Sequence, residues 1–279
     1  MESINWSTEW LTSLLWVARV FLFTIVGFVL VGWFLIRRMR WGRQFWRLSG
    51  MYFIPRQRTW LSWRPILTVA LLLLLTVVSV RLDVILSFQG NDLFTALQEL
   101  NAAAFWRSIL IFGILATINV VLVLVTFYIG QAQIIHWRLW LNQRMLGDWL
   151  GDAAYHRGRF VSTPVDNPDQ RIQQDITSYV GDSQSLALGA VSSAVSLVSF
   201  TIILWQLSGP LAVFGFQVPR GMVFLAYVYV IIATVFAFRI GRPLIRLNFL
   251  NELLTASYRY ALVRVRDNSE SIAFYRGEQ

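Results

Sequence analysis

The sequence predicts an all-α integral membrane fold, and three observations lead to that prediction. Of the 279 residues, 56% are hydrophobic and only 14% are charged, whereas soluble domains carry about 25% charged residues. Several apolar stretches are long enough to cross a hydrocarbon core, which takes about 20 residues. The net charge of +9 concentrates between these stretches, as it does in the inside-facing loops of membrane proteins.

The composition also excludes several kinds of site. The chain has no cysteine, which excludes disulfides, thiolate metal ligands and cysteine nucleophiles. All 24 basic residues are arginine, which excludes lysine Schiff-base chemistry and a P-loop, whose motif requires lysine. The arginines do not form a stripe on one soluble face, so we expect no nucleic-acid partner.

Five apolar stretches are predicted to cross the membrane, with one charge, Arg19, inside the first of them. A transmembrane helix rises 1.5 Å per residue, so each is long enough for a bilayer core of about 30 Å. In chain order the stretches are residues 14–36, 66–86, 105–129, 186–207 and 222–240.

Charge predicts the orientation of these spans. Eight arginines and no acidic residue lie between residues 37 and 64, which indicates a cytoplasmic loop. The next loop holds Asp92 and Glu99 and no base until Arg107, and loop 208–219 carries no charge, so both are expected outside. We therefore expect the N-terminus outside and the basic C-terminal end in the cytoplasm.

Helical patterning continues beyond the third and fifth spans. Apolar residues recur at helical spacing through 137–150, two prolines interrupt the pattern at 164 and 168, and helical character resumes from Gln170. The fifth span continues into a polar helical region at 246–266. Both regions predict long cytoplasmic extensions. The two histidines, His136 and His156, are too few for a metal cluster, so we expect no metal or cofactor in this chain.

The segment 166–176, with the sequence DNPDQRIQQDI, has the features of a capped helix start. Asn167-Pro168 initiates a turn, and Pro168 suits the first helical position. Asp166 or Asn167 can cap the helix, and Arg171 can pair with Asp175 four residues on. Two interpretations stay open at this point, a surface turn and a short helix that docks on a soluble domain.

The same segment resembles the first cytoplasmic loop of exporter-type ABC transporters. The resemblance is to bacterial BacA-like transporters, especially the mycobacterial BacA type, and to peroxisomal fatty-acyl half-transporters. Three further stretches in the same order support it, namely WGRQFWR at 41–47, FQGNDLFTALQ at 88–98 and NSESIAFYRGE at 268–278. The last is similar to the second cytoplasmic loop of that group.

The resemblance implies a type IV (exporter-type) ABC transmembrane fold with long cytoplasmic extensions. Residues 1–60 would form an extra N-terminal helix with a basic loop, and 61–279 would form core helices one to four with two coupling loops. The chain would be an incomplete N-terminal part that lacks core helices five and six and the ATPase domain. No catalytic site is expected here, and ATP and Mg would bind in that missing domain.

The resemblance also assigns candidate coupling-loop residues and partners. The coupling candidates are Asp166, Asn167, Pro168, Asp169, Gln170, Arg171, Asp175, Asn268, Ser269, Glu270, Phe274 and Tyr275. The expected partners are the lipid bilayer, a second copy in a homodimer and an ABC ATPase domain. The expected location is the bacterial inner membrane.

Polar residues inside spans are candidates for a transport cavity because charge in a membrane is costly. The candidates are Arg81, Asp83 and Asn119. Arg81 and Asp83 could instead lie at the interface, and Asn119 could form an interhelical hydrogen bond.

The preferred function is an ATP-driven ABC transporter that takes up bulky hydrophilic compounds such as cobalamin or antimicrobial peptides. The alternative is a proton-driven peptide transporter of the SbmA/BacA type without an ATPase domain. A third possibility is a membrane scaffold that does not transport.

Overall fold

The computed structural model describes residues 6–54, 60–157, 168–209, 211–213 and 216–275, and this part of the chain is almost entirely helical. Short 3-10 turns precede α3 and follow α4, at Trp60–Trp63 and Gly151–Ala153. The α-helices are α1 Trp6–Arg38, α2 Arg40–Phe53, α3 Arg64–Gln98, α4 Ala102–Leu150, α5 Ala154–Arg157, α6 Pro168–Leu207, α7 Gly221–Asp267 and α8 Ser269–Tyr275.

Five helices in the described part of the chain, α1, α3, α4, α6 and α7, are long and apolar enough to cross a membrane. This confirms the predicted all-α membrane fold. Helix α4 has 49 residues and α7 has 47, so each is about 70 Å long at 1.5 Å per residue. Both lengths exceed a bilayer core of about 30 Å, and both helices therefore extend beyond it.

The chain divides into two compact units, Met1–Phe200 and Thr201–Gln279. In the first unit, α3 packs against α4 and also contacts α1. The α3 side that makes these contacts is buried at helical spacing, with Leu73, Val77, Val80 and Val84 at most 3% exposed. A stripe of this kind brings α1, α3 and α4 together side by side.

A tight turn joins α3 to α4. Leu100 adopts a positive φ of 53°, and the Asn101 amide donates to the Ala96 carbonyl oxygen at 3.0 Å, which closes the end of α3. The Asn101 side-chain oxygen then accepts a hydrogen bond from the Ala104 amide at 3.1 Å and caps α4. Asparagine is among the preferred residues for this capping position.

A sharp bend separates α1 from α2. Met39 is extended, with φ −101° and ψ 138°, so the chain turns back immediately after α1. Gly42 is buried, and a Cβ atom at this position would collide with the Leu35 carbonyl oxygen of α1. Only glycine allows the first turn of α2 to approach the end of α1 so closely.

The second unit contains the end of α6, a small hairpin, α7 and α8. Strands β1 Leu211–Val213 and β2 Phe216–Val218 pair antiparallel, whereas the sequence predicted only a loop at 208–219. Thr201 Oγ1 lies 2.8 Å from the Tyr227 hydroxyl oxygen, which links α6 to α7. Helix α7 continues through Pro243 to Asp267, which agrees with the helical extension predicted from the polar region at 246–266.

Candidate functional site

The cavity candidate Arg81 lies on α3 against the N-terminal helix α1. Its guanidinium donates to Glu9 Oε1 in a salt bridge and to Ser13 Oγ at 3.1 Å, and it lies 5.3 Å from the centre of the Trp16 ring. The side chains of Arg81 and Glu9 are 18% and 24% exposed. The structure therefore uses Arg81 to attach α1 to α3.

The other two cavity candidates, Asp83 and Asn119, contact each other. Asn119 Nδ2 donates to Asp83 Oδ1 at 3.3 Å across the α3–α4 interface. Asp83 is exposed and Asn119 is half-buried. Asp83 follows Arg81 by two residues and so points to a different side of α3, which separates it from the Glu9–Arg81 pair. The structure thus brings two of the three candidates together.

A buried glutamine that the sequence did not indicate also links α3 to α4. Gln89 is 1% exposed, and its Nε2 donates to the Ser108 carbonyl oxygen at 3.2 Å. Its Oε1 has no hydrogen-bond partner within the described residues. Gln89 lies in the stretch 88–98, but nothing in that sequence indicates that its side chain is buried.

A cluster of aromatic and aliphatic side chains joins α2, α4 and α6. Its buried members are Tyr52, Trp137, Leu141, Ile176 and Val180. The Tyr52 ring stacks on Trp137 with a centroid distance of 5.9 Å and an interplanar angle of 8°. Burial raises the pKa of Tyr52 to about 12, so its hydroxyl is neutral at physiological pH.

Polar contacts between the same three helices accompany this cluster. The Ser49 and Tyr179 hydroxyl oxygens lie 2.9 Å apart and form a hydrogen bond between α2 and α6. Further along α6, Gln184 Nε2 donates to the Gly130 carbonyl oxygen of α4 at 3.0 Å. A Cβ on Gly130 would lie 3.2 Å from that Nε2 atom. Helices α4 and α6 are therefore joined by both apolar and polar contacts.

The structure describes the first coupling segment in part. Asp166 and Asn167 lie outside the described residues. Pro168 begins α6, as its preference for the first helical position predicted. The next three candidates, Asp169, Gln170 and Arg171, lie in the first turn of α6, with side chains outside the described set. Asp175 is exposed.

The second coupling segment follows α7 in the second unit. Asn268 ends that helix, and its Nδ2 donates to the Arg264 carbonyl oxygen at 2.8 Å. Ser269 and Glu270 begin α8 and are exposed. Phe274 and Tyr275 end it, with 82% and 80% exposure. Two adjacent exposed aromatic rings provide an apolar contact surface at this end of α8.

Within the part of the chain that the structure describes, no group of three or more histidine, aspartate and glutamate side chains is arranged to hold a metal ion. The polar contacts described above join helices to one another. This arrangement is suited to positioning helices.

The family comparison matches residues 50–279 to the ABC transporter transmembrane region 2 model. An uncharacterised ABC transporter ATP-binding protein of Haemophilus influenzae is 42% identical over 276 residues, 99% of this chain and 46% of its own length. The chloroplastic ABC transporter D family member 2 of Arabidopsis thaliana is 29% identical over 85% of this chain and 31% of its own.

A more distant similarity covers half of the chain. The human lysosomal cobalamin transporter ABCD4 is 28% identical over 145 residues, 51% of this chain and 22% of its own length. The chain thus spans less than half the length of each of these relatives. The five long apolar helices and the match over most of the sequence agree, and the chain belongs to the ABC transporter transmembrane region 2 family, as a multi-pass membrane domain.

Proposed function

We propose that this chain is the membrane-domain part of an ATP-driven ABC transporter that works as a homodimer. The family match over residues 50–279 carries the proposal, and the relative from Haemophilus influenzae is named as an ATP-binding protein. ATP and Mg would bind in an ATPase domain of the complete protein. Closure of that domain would move the membrane helices through the coupling segments.

The coupling role belongs to residues at the ends of long helices. Helix α7 carries α8 at its end, and α8 presents Phe274 and Tyr275 to solvent. Exposed apolar side chains of this size mark interaction surfaces. The matching candidates of the first coupling segment run from Asp166 to Asp175, of which Pro168 to Asp175 lie in the first turns of α6. We assign both segments as contacts for the ATPase domain.

The coupling assignment can be tested in the complete protein, reconstituted in proteoliposomes. We expect Phe274→Ala with Tyr275→Ala to lower ATP-dependent transport at least about tenfold, as loss of two aromatic anchors does at interfaces, while basal ATP hydrolysis persists. Tyr258 and Tyr260 are 65% and 63% exposed on α7, and their double alanine variant is the matched control. Normal transport by the α8 variant would overturn the assignment.

We assign Asp83 and Asn119 as polar contacts for a hydrophilic solute. Their hydrogen bond joins α3 and α4, and the Asp83 carboxylate is exposed. The predicted solutes, cobalamin and antimicrobial peptides, are bulky and hydrophilic, and cobalamin is named in the distant human relative. Asp83→Asn should raise the KM for the transported compound and leave basal ATP hydrolysis unchanged. An unchanged KM for both cobalamin and peptide would contradict this role.

In the proton-driven alternative of the SbmA/BacA type, Asp83 would be the residue that binds and releases the proton, because such a transporter needs a protonatable acid within its spans. The observation that favours this alternative is the exposure of Asp83 on α3. Uptake by whole cells distinguishes the two mechanisms. ATP-driven uptake should stop with vanadate, whereas proton-driven uptake should stop with a protonophore while vanadate has no effect.

A further inference from the structure

Helix α2 has three distinct sides. One side is buried against the rest of the first unit and includes Gly42, Ser49 and Tyr52. A second side carries Arg40, Arg43 and Arg47, which are all exposed. Their spacing of three and four residues places them within about 60° of arc on the helix. We call these three residues the arginine stripe.

No carboxylate neutralises the arginine stripe in the described part of the chain. The salt bridges there join Glu9 to Arg81 and Asp267 to Arg266. The sequence from residue 37 to residue 64 contains no acidic residue at all. Because no side chain caps the start of α2, its first amide groups add a partial positive charge beside the stripe. The stripe therefore attracts an anion supplied from outside the chain.

The third side of α2 is an exposed apolar edge between the arginine stripe and the buried side. Trp41, Leu48 and Met51 form it, with exposures of 58%, 36% and 47%. Apolar side chains next to a row of arginines are typical of helices that lie in the headgroup region of a bilayer. Acyl chains can cover such an edge, whereas a soluble inorganic anion cannot.

The position of α2 suits this role. It begins at Arg40, two residues after the membrane-length helix α1 ends at Arg38, so it starts where the first span leaves the membrane. Arg144 Nη1 donates to the Leu48 carbonyl oxygen at 2.9 Å, and Tyr52 stacks on Trp137. These contacts hold α2 on α4 with the arginine stripe facing away from the packed side.

We propose that Arg40, Arg43 and Arg47 bind the phosphate of an anionic phospholipid in the leaflet at the basic end of α1. In this arrangement Trp41, Leu48 and Met51 lie among its acyl chains. Arginine is well suited to this contact because its planar guanidinium donates two parallel hydrogen bonds to phosphate oxygens. The inference does not depend on the transported compound or on ATP-driven transport.

Native mass spectrometry of the purified chain tests the proposal. The chain is supplied with equal amounts of phosphatidylglycerol and phosphatidylcholine, and the bound lipids are counted. We expect phosphatidylglycerol to be enriched. The triple variant Arg40→Gln, Arg43→Gln, Arg47→Gln should lower that enrichment at least about tenfold, since each basic residue near an anionic surface contributes measurably to binding.

A matched control is provided by Arg259, Arg264 and Arg266, which are exposed on α7 and lie at least about 28 Å of helix beyond residue 240, where the fifth span is predicted to end. Their triple glutamine variant loses the same charge and should change the enrichment less than about twofold. Equal losses in the two variants, or no loss in the α2 variant, would overturn the proposal.

Two further measurements keep the test independent of folding and of the anion source. Arg40→Lys, Arg43→Lys and Arg47→Lys together keep the charge but lose the paired guanidinium hydrogen bonds, so the enrichment should fall between those of the wild type and the glutamine variant. A loss as large as in the glutamine variant would overturn the proposal, because the positive charge would then contribute nothing. Inorganic phosphate at matched ionic strength should not displace the bound phosphatidylglycerol. Displacement would show a site for free phosphate and would overturn the assignment to lipid.

Discussion

Individual side chains in this chain act mainly by joining helices. Arg81 attaches α1 to α3, Asn119 links α4 to Asp83 on α3, and Gln184 links α6 to the Gly130 carbonyl of α4. Such polar contacts matter in a membrane, where lipid is as apolar as the helices and supplies no hydrophobic drive for their association. These residues therefore fix which helix faces meet.

Gly42 gives the most direct prediction for a single residue. Gly42→Ala should destabilise the chain by about 1–3 kcal/mol because the new methyl group collides with the Leu35 carbonyl oxygen and pushes α2 away from α1. The measurement is thermal unfolding in detergent. Gly27→Ala is the control, since a Cβ at Gly27 meets no atom within 4 Å. Equal melting temperatures for the two variants would show that the approach of α2 is not constrained.

Tyr52 predicts a pH dependence of stability. Its pKa is about 12 in the folded chain and about 10 in an unfolded chain. Between these values the folded state keeps the proton that the unfolded state releases, so stability falls as pH rises through about 10 and levels off near 12.

The total loss amounts to about 2–3 kcal/mol. Tyr52→Phe should remove this part of the loss while the other tyrosines contribute equally to both proteins. Denaturant titrations at about pH 9 and about pH 11 measure the difference. Parallel pH dependence of the wild type and Tyr52→Phe would contradict the buried, neutral state of this hydroxyl.

Helix boundaries follow local rules that the sequence displays, with two instructive exceptions. Pro168 starts α6 and Asn101 caps α4, in line with residue preferences. The positive φ of Leu100 and the paired strands at 211–213 and 216–218 have no such signal. Leucine is an unusual residue for a left-handed position, and strands of three residues are too short to produce an alternating pattern.

Asn101→Ala should destabilise the start of α4 by about 1 kcal/mol, because the Ala104 amide loses its side-chain acceptor. Hydrogen exchange of the Ala104 amide and thermal unfolding both measure this loss. Asn101→Ser keeps a capping oxygen and should behave like the wild type. If Asn101→Ser were as unstable as Asn101→Ala, the cap would not be the cause.

For the whole molecule, the distribution of arginine predicts the orientation in the membrane. The cysteine-free chain allows single-cysteine labelling with an impermeant maleimide in intact spheroplasts. Thr95→Cys lies near the end of α3 that is predicted to lie outside, Ser269→Cys lies after α7, and both positions are exposed.

We expect labelling of Thr95→Cys in intact spheroplasts and labelling of Ser269→Cys only after permeabilisation, because the positive-inside rule places the basic loops in the cytoplasm. Labelling of both variants after permeabilisation is the control for reactivity. The reverse pattern in intact cells would overturn the predicted orientation.

Composition and hydropathy were sufficient to predict the all-α membrane fold, the five membrane-length helices and the extension of α4 and α7, because a lipid environment demands long apolar helices with satisfied backbones. The stretches 41–47, 88–98, 166–176 and 268–278 pointed to the ABC transporter membrane domain. Which side chains meet was decided only in three dimensions. Arg81 and Asp83 are two residues apart but join α3 to different helices, α1 and α4. They lie on different sides of α3, and each side packs against a different neighbouring helix.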